Sequence, residues 1–316
     1  MRCLNQILLS SLLLGIIMFT MIACKDSKDA SESHPAYKNP AVLPLTEALL
    51  QNPNDATLYY KRSIVLSQMN MDSLALIDLN KAIALDQKNV SYYIGKGEVL
   101  NYLNQHDEAI MAFSKAQELE PKDLRIKINI IKSLMLADKL ESAKAKANNL
   151  ISLVPDYPDA YYWQSQIAAK EKDTTLAIQL VQQALRMDPY FYEASLLLGD
   201  YYSYNRQAIG QYQYTFQIDT TDVFPLFQIG NYYELIKKDD SAKAAYTYAL
   251  NLDPDFTDAY VQIGDILLKE DSISKAKRIF DLAIKTEPSN AYAYAQMGYC
   301  YEKLQILDSS KLYYAN

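Results

Sequence analysis

The sequence predicts an all-α fold made of stacked helix pairs, and three observations carry this prediction. Landmark residues return every 34 positions, as Gly230, Gly264 and Gly298 do, and a fixed period of this length is typical of repeated supersecondary units. Within one period, apolar residues recur at spacings of three and four on two short segments, which is the pattern of two amphipathic helices. Half of the 316 residues are hydrophobic, enough to build a continuous core.

The first element in chain order is an apolar N-terminal segment. Arg2 and the amino terminus form a short positive region, and the nearly apolar residues 7–23 end at Met21-Ile22-Ala23-Cys24. This arrangement predicts a secretory signal over residues 1–23. Its ending resembles the lipobox of bacterial lipoproteins, which implies that Cys24 carries acyl chains such as palmitate, although Met21 replaces the usual Leu. The alternative is an uncleaved anchor, because about 17 apolar residues lie at the lower limit for spanning a membrane.

A tether and a capping helix come next. Residues 24–40 are polar and lack an apolar period, which is typical of a flexible tether. A chain of this length reaches on the order of 20 to 25 Å. Residues 41–55 contain Ala41, Leu45, Ala48 and Pro53 and predict a single helix that caps the N-terminal end of the repeats.

Eight repeats follow, and they begin near residues 56, 90, 124, 158, 192, 223, 257 and 291. Gly or Ser in the first helix and Ala in the second are expected to let the two backbones approach closely. A proline ends most second helices, because it disfavours helical geometry in the preceding residue, and Asp258 or Asn290 could cap the next helix. The repeat at 192 is three residues shorter than the others, between Tyr202 and Ala208.

These landmarks resemble the tetratricopeptide repeat, and the resemblance covers residues 41–316. The repeat at 257 supplies the family pattern of large, small and large residues, then Ala, an aromatic residue, Ala and Pro: Tyr260, Gly264, Leu267, Ala276, Phe280, Ala283 and Pro288. The repeat at 124 departs most, with Ile131 in the small place and Leu150 for the second alanine, so its helix pair is expected to pack with a different tilt. The resemblance implies a right-handed α-solenoid with a concave inner face.

Residues suited to catalysis are sparse. His34 and His106 lack an evident acid or nucleophilic partner, and Cys300 is a lone helical cysteine, which is typical of a small core residue. The sequence contains no metal-ligand spacing, phosphate-binding loop or nucleophile elbow. We therefore expect no enzyme, metal or cofactor, and the net charge of −7 argues against nucleic-acid binding.

The resemblance also implies a binding groove, because the fifth and ninth places of each first helix face the concave side in the family. The fifth places form an apolar row, and the ninth places are mainly polar. The groove residues predicted in this way are Tyr60, Ile94, Ile128, Tyr162, Leu196, Phe227, Asn231, Val261 and Asp265. Such a surface suits an extended peptide or a partner helix. The alternative is that the apolar row is partly buried between successive first helices.

Charge on the groove-facing places changes along the chain. In the first three repeats, Lys61, Arg125 and Lys132 outnumber Glu98. In the next four, carboxylates outnumber the two lysines Lys170 and Lys269; these carboxylates are Asp159, Glu193, Asp200, Glu234, Asp258 and Asp265. We expect a partner segment to place its basic end against the C-terminal repeats.

The last repeat has a short second helix that is rich in tyrosine. We expect Met297, Cys300 and Tyr314 to form an uncovered apolar surface that contacts a partner or a second copy of the chain.

Together these features predict a lipid-anchored scaffold of the bacterial cell envelope, in the outer membrane, that binds protein or peptide partners. Assembly or secretion of envelope machinery would fall within this role. The alternative is a glycan-binding lipoprotein that uses some of its 27 tyrosines as stacking platforms, notably Tyr162 and Tyr204 together with Trp163. The identity of the partner and the side of the membrane stay open at this stage.

Overall fold

A computed structural model describes residues 34–315, and this part of the chain contains helices and no strands, which confirms the all-α prediction. A 3-10 helix spans Pro35–Lys38 and precedes α1 (Leu43–Gln51), which lies where the capping helix is predicted. Each of the eight repeats then contributes a first and a second helix. In chain order these are α2 (Ala56–Gln68), α3 (Asp72–Leu85), α4 (Val90–Tyr102), α5 (His106–Leu119), α6 (Leu124–Leu136), α7 (Leu140–Leu153), α8 (Pro158–Lys170), α9 (Thr174–Met187), α10 (Tyr192–Tyr201), α11 (Gln207–Ile218), α12 (Phe224–Leu235), α13 (Asp239–Leu252), α14 (Thr257–Lys269), α15 (Ile273–Thr286), α16 (Ala291–Lys303) and α17 (Leu307–Tyr314).

The chain divides into two compact parts, Met1–Lys146 and Ala147–Asn316, which we call the N-terminal half and the C-terminal half. The boundary falls within α7. A division of this kind follows from the repeat architecture, because each repeat of a stacked array contacts mainly its neighbours.

The paired helices of most repeats pack around an aromatic ring. A Cβ atom added to Gly230 of α12 would lie 2.2 Å from Cε1 of Tyr246 in α13, and the Tyr246 ring is fully buried. The same pairing recurs in four other repeats, as Gly97 with Phe113, Gly199 with Tyr212, Gly264 with Phe280 and Gly298 with Tyr314. Each glycine therefore makes room for a ring from the second helix. The expectation of direct backbone approach, with no side chain in between, is wrong.

Repeats that lack the aromatic ring have different residue types at both the glycine place and the ring place. Repeats 1 and 4 have Ser63 and Ser165 in the glycine place, and smaller aliphatic residues replace the ring. In repeat 3 the sizes are exchanged: Ile131 occupies the glycine place and Ala147 the ring place, and both are fully buried. The departure noted in this repeat therefore leaves the combined volume of the two places similar.

Seven turns within residues 34–315 share one geometry. One residue of each turn has a left-handed φ between 54° and 66°, at Asn70, Asn104, Asp138, Lys172, Lys237, Asp271 and Gln305. The next N–H bonds to the carbonyl five residues earlier, as Met71 N does to Leu66 O at 2.9 Å, which is the Schellman ending of a helix. Repeat 5 lacks this turn because it is three residues shorter, and α10 ends at Tyr201.

Helix caps follow the sequence only in part. Asn290 caps α16, since its Oδ1 accepts a hydrogen bond from the N–H of Ala293 at 2.9 Å. Asp258 does not cap α14, because that helix begins at Thr257 and Asp258 already lies in its first turn.

A buried arginine joins the segment before repeat 1 to that repeat. Arg62 donates from Nε and Nη2 to the two carboxylate oxygens of Asp78 at 2.7 and 2.8 Å. Its Cζ lies 4.1 Å from the ring centroid of Tyr37, and its Nη1 reaches Thr46 Oγ1 at 3.4 Å. Arg62, Asp78 and Tyr37 are each at most 4% exposed. This cluster, the arginine clasp, joins the 3-10 helix, α1, α2 and α3.

The arginine clasp shows that the predicted tether extends too far along the sequence. The sequence extends the tether to residue 40, yet Ala36, Tyr37 and Val42 are buried in one core cluster with Leu66 and Leu79. Residues 36–42 therefore contribute side chains to the core of repeat 1. The rest of the tether, the signal over residues 1–23 and Cys24 lie outside the described residues. Within the described range, no helix is long and apolar enough to cross a membrane.

Candidate partner-binding surface

The candidate surface consists of the groove-facing places of the first helices, and we call it the first-helix face. Its apolar fifth-place row is less accessible than an open groove requires. Ile128 and Phe227 are each only 8% exposed. The other predicted fifth-place residues are half-buried: Tyr60, Ile94, Tyr162, Leu196 and Val261. This burial favours the alternative in which the row packs between successive repeats.

Aromatic contacts show how the row is covered. In the C-terminal half, the ring centroid of Phe227 lies 5.3 Å from those of Tyr246 and Phe256, and that of Tyr162 lies 5.2 Å from Phe191. Phe191 and Phe256 immediately precede the first helix of the following repeat. The prediction of an open apolar row is thus wrong for Tyr162 and Phe227, because Phe191 and Phe256, the last residues of the same two repeats, lie against them.

The ninth places form the accessible row of the first-helix face. Glu98, Lys132 and Asp200 are exposed, and Gln166, Asn231 and Asp265 are half-buried. Partners would therefore meet mainly polar side chains. In the N-terminal half this face also contains a groove of about 430 Å³, lined in part by Tyr60, Ile64, Glu98 and Tyr102.

Buried tyrosines donate hydrogen bonds to several polar side chains of the first-helix face. The Tyr246 hydroxyl donates to Asn231 Oδ1 or Glu234 Oε2, at 2.7 and 2.8 Å, and the Tyr212 hydroxyl donates to Asp200 Oδ1 at 2.7 Å. Each of these rings crosses the first helix at its glycine, Tyr246 at Gly230 and Tyr212 at Gly199. The hydroxyl group therefore reaches the accessible side of that helix. This link was missed in the sequence, although the recurrence of Tyr in the ring place with an acidic residue twelve positions earlier could have indicated it.

Further hydrogen bonds join adjacent repeats of the C-terminal half. Gln228 Nε2 donates to Asp200 at 3.3 Å, and Lys269 Nζ donates to Glu234 at 2.8 Å. The Tyr292 hydroxyl donates to Asp265 Oδ2 at 2.9 Å. These three links cross from repeat 5 to 6, from 6 to 7 and from 7 to 8. The acidic side chains are therefore held in place before any partner arrives.

Burial also changes how readily these groups ionise. Partial burial raises the pKa of the Asp265 carboxyl, against the opposing effects of the Tyr292 hydrogen bond and of Lys269. Burial likewise raises the pKa of Asp159, and the negative charge of Glu193 adds to the increase. Both shifts mean that added positive charge near these carboxylates would be favourable.

The C-terminal surface expected from the sequence is only partly present. Met297 and Cys300 are 2% and 0% exposed and belong to one core cluster with Ile266 and Phe280, so their predicted exposure is wrong. Their places on α16 face the preceding repeat. Tyr314 remains half-exposed, and self-association through this end loses two of its three supporting residues. Burial raises the pKa of the Cys300 thiol to about 11, which makes it a poor nucleophile at neutral pH.

The predicted platforms for sugar stacking are not alike. Tyr204 is 88% exposed, whereas Tyr162 and Trp163 are half-buried and pack edge to face with ring centroids 5.4 Å apart.

Among residues 34–315, no three His, Cys, Asp or Glu side chains come together as a metal site. The two histidines make local contacts only: His34 accepts from the N–H of Ala36, and His106 contacts Asn101.

Successive helix pairs that share one turn geometry, most of them packed internally around an aromatic ring, define a helical-repeat scaffold. Models of the tetratricopeptide repeat match residues 130–192 and residues 90–123, 225–256 and 257–290, together just over half of the chain. The chain belongs to the tetratricopeptide-repeat family, and the predicted α-solenoid class is confirmed. Such repeats generally bind protein partners, and the fold is typical of non-catalytic scaffolds.

One solved structure shows the same fold, and two others align over about half of the chain. A tetratricopeptide repeat protein from Parabacteroides merdae aligns with a TM-score of 0.54 and 15% identity, over 78% of this chain and 98% of its own. Two structures of MamA align with TM-scores of 0.41 and 0.42 and identities of 24% and 23%, over 48% and 51% of this chain and 90% of each of theirs. No curated protein sequence matches the chain.

Proposed function

We propose that this chain is a lipid-anchored scaffold of a bacterial cell envelope, in the outer membrane, that binds protein or peptide partners along the first-helix face. The observation that carries the binding proposal is the accessible polar row, in which Asp200, Asn231 and Asp265 are held by tyrosines and by links between repeats. Fixed polar groups lose little side-chain entropy when a partner binds. Such a surface is suited to oriented recognition, which fits assembly or secretion of envelope machinery.

The charge on the first-helix face indicates the direction of the partner. Asp200, Glu193 and Asp258 are exposed in the C-terminal half, and Lys269 is paired with Glu234. In the N-terminal half, Lys61 and Lys132 are exposed. A partner segment with a basic end would therefore bind with that end against the C-terminal repeats, by charge complementarity.

Site-specific crosslinking in intact cells tests the binding face. A photoreactive residue at Gln166, on the first-helix face, should capture a defined partner, whereas one at Gln179, exposed on the second helix α9, should not. Replacing Asp200 and Asp265 by Lys should abolish capture at Gln166 while the circular dichroism spectrum stays the same. Capture from Gln179 alone, or capture that is indifferent to the charge reversal, would refute the proposed face.

The anchor is supported by Ala23-Cys24 after the apolar run. Two or more acyl chains give stable membrane attachment, because each buried methylene contributes about 0.8 kcal/mol. Cys24→Ser should abolish incorporation of labelled palmitate and shift the chain out of the membrane fraction or leave it unprocessed. Cys3→Ser, in the same segment, is the matched control and should leave labelling intact. An unlabelled wild-type chain that retains Met1 would exclude the anchor.

A further inference from the structure

Grooves recur between the second helices of successive repeats. In the C-terminal half, a groove of about 670 Å³ lies between α11 and α13 with α12 as its floor. In the N-terminal half, a groove of about 330 Å³ lies between α3 and α5 over α4. When the repeats are aligned, the lining residues on α4 and α5 fall at the same places as those on α12 and α13. These grooves share no residue with the groove-facing places of the first helices.

The groove between α11 and α13, which we call the outer groove, is uncharged. None of the described residues that line it is charged, although 22% of the chain is. Ala244 and Ala245 form a shelf of small residues, and the rings of Phe216 and Tyr248 stand beside it with centroids 6.5 Å apart. Tyr248 is half-exposed, so an apolar surface is open to a ligand.

Repeats 2 and 7 carry charged or long side chains at places that are small and neutral in repeat 6. In the N-terminal groove, the places of Ser241 and Ala244 are taken by Glu108 and Met111, and Lys115 stands at the place of Tyr248. In repeat 7, Lys275 and Arg278 take the places of Ser241 and Ala244 beside a further groove. The same backbone thus carries charged or long side chains elsewhere, and repeat 6 replaces them by small neutral ones.

We propose that the outer groove docks an uncharged peptide segment of a partner, which packs an aliphatic or aromatic side chain on Ala244 and Ala245 beside Tyr248. A charged segment is disfavoured, because the lining offers no opposite charge to a buried ion. The exposed amides of Gln213 and Gln217 line the groove and can bond to a peptide backbone. The volume lies within the range of pockets that bind compact ligands.

Displayed peptides of about 12 residues, long enough for one strand or helix motif, test the proposal on the purified chain. Binders are selected on the wild type and titrated by fluorescence anisotropy against the double variant Ser241→Lys, Ala244→Arg. The variant should remain folded, because Lys and Arg already occupy these places in repeat 7. We expect a set of uncharged peptides with one or two large apolar residues to bind the variant at least about tenfold more weakly.

Two further variants separate this surface from the others. Met111→Arg in the N-terminal groove and Asp265→Lys on the first-helix face should both leave the affinity of this peptide set within about twofold of wild type. The proposal fails if no selected peptide distinguishes the double variant, or if the peptides that do so are charged. It also fails if a neutral oligosaccharide such as cellohexaose, rather than a peptide, binds the wild type and not the double variant.

Discussion

At the scale of single residues, the glycine–ring pair explains why so few glycines are placed so regularly. Five of the eight glycines lie against an aromatic ring of the paired helix. The period revealed where these glycines stand and that packing requires them. It did not reveal the ring as the reason, because the contact joins residues 13 to 16 positions apart on different helices.

The pair gives a direct stability test. Gly230→Ala would place a Cβ 2.2 Å from a Tyr246 ring whose hydroxyl bonds to Asn231 and Glu234, so the ring cannot move away freely. We expect a loss of about 1 to 3 kcal/mol in the free energy of unfolding. Gly210→Ala is the matched control, since its Cβ would have no heavy atom within 4 Å, and it should gain about 0.5 to 1 kcal/mol. Urea unfolding followed by circular dichroism measures both changes, and a stabilised Gly230→Ala chain would contradict the packing argument.

At the scale of elements, the turns were hidden from sequence reasoning. Four residue types (Asn, Asp, Lys and Gln) occupy the left-handed position of the seven described turns, so no glycine marks it. The tether was overextended for a related reason. Polar neighbours surround Tyr37, and its burial depends on Arg62, 25 positions later, which local composition does not report.

The left-handed turn residues can be tested with two adjacent lysines. Lys237 has a φ of 57°, a region that costs a residue with a side chain about 1 to 2 kcal/mol, whereas Lys238 has a φ of −108°. We expect Lys237→Gly to raise the free energy of unfolding by about 1 kcal/mol and Lys238→Gly to lower it by about 0.5 to 1 kcal/mol through unfolded-state entropy. Thermal and urea unfolding report both, and changes of the same sign would contradict the assigned turn.

At the scale of the whole molecule, the architecture was accessible from the sequence because the 34-residue period repeats throughout. The accessibility of the first-helix face was not, because it depends on which side chains outside the first helices cover it. Phe191 and Phe256 lie before helices and outside the family pattern, yet they cover Tyr162 and Phe227. The sequence prediction therefore made the apolar row too open, and the binding role of the first-helix face stays a prediction.

Buried tyrosines across the C-terminal half predict a loss of stability in alkali. Burial raises the pKa of Tyr162 to about 12, and burial together with the Asp200 and Glu234 carboxylates raises the pKa of Tyr212 and Tyr246 above the ordinary value. A raised folded-state pKa means that the folded chain keeps protons that the unfolded chain releases. The stabilising contribution is therefore complete below about pH 10 and is lost as the pH rises further.

We expect the free energy of unfolding to fall steeply above about pH 10, with tyrosinate absorbance at 295 nm rising in parallel with unfolding. The double variant Tyr212→Phe, Tyr246→Phe should show a shallower decline, whereas Tyr204→Phe, at an 88% exposed position, should follow the wild type. A double variant whose stability declines with pH as steeply as that of the wild type would refute the link.

The arginine clasp bears on the order in which contacts break when the N-terminal end of the chain is pulled. A pull on the chain before Pro35 loads the Tyr37 ring first, and the contact of that ring with the guanidinium is worth about 2 kcal/mol when desolvated. The bidentate pair of Arg62 with Asp78 lies behind it, and breaking one partner from such a buried pair costs about 3 to 5 kcal/mol. We therefore expect the 3-10 helix to detach before the ion pair breaks. Under force, the chain would then gain reach from its N-terminal end while repeat 1 stays folded, which single-molecule pulling can measure.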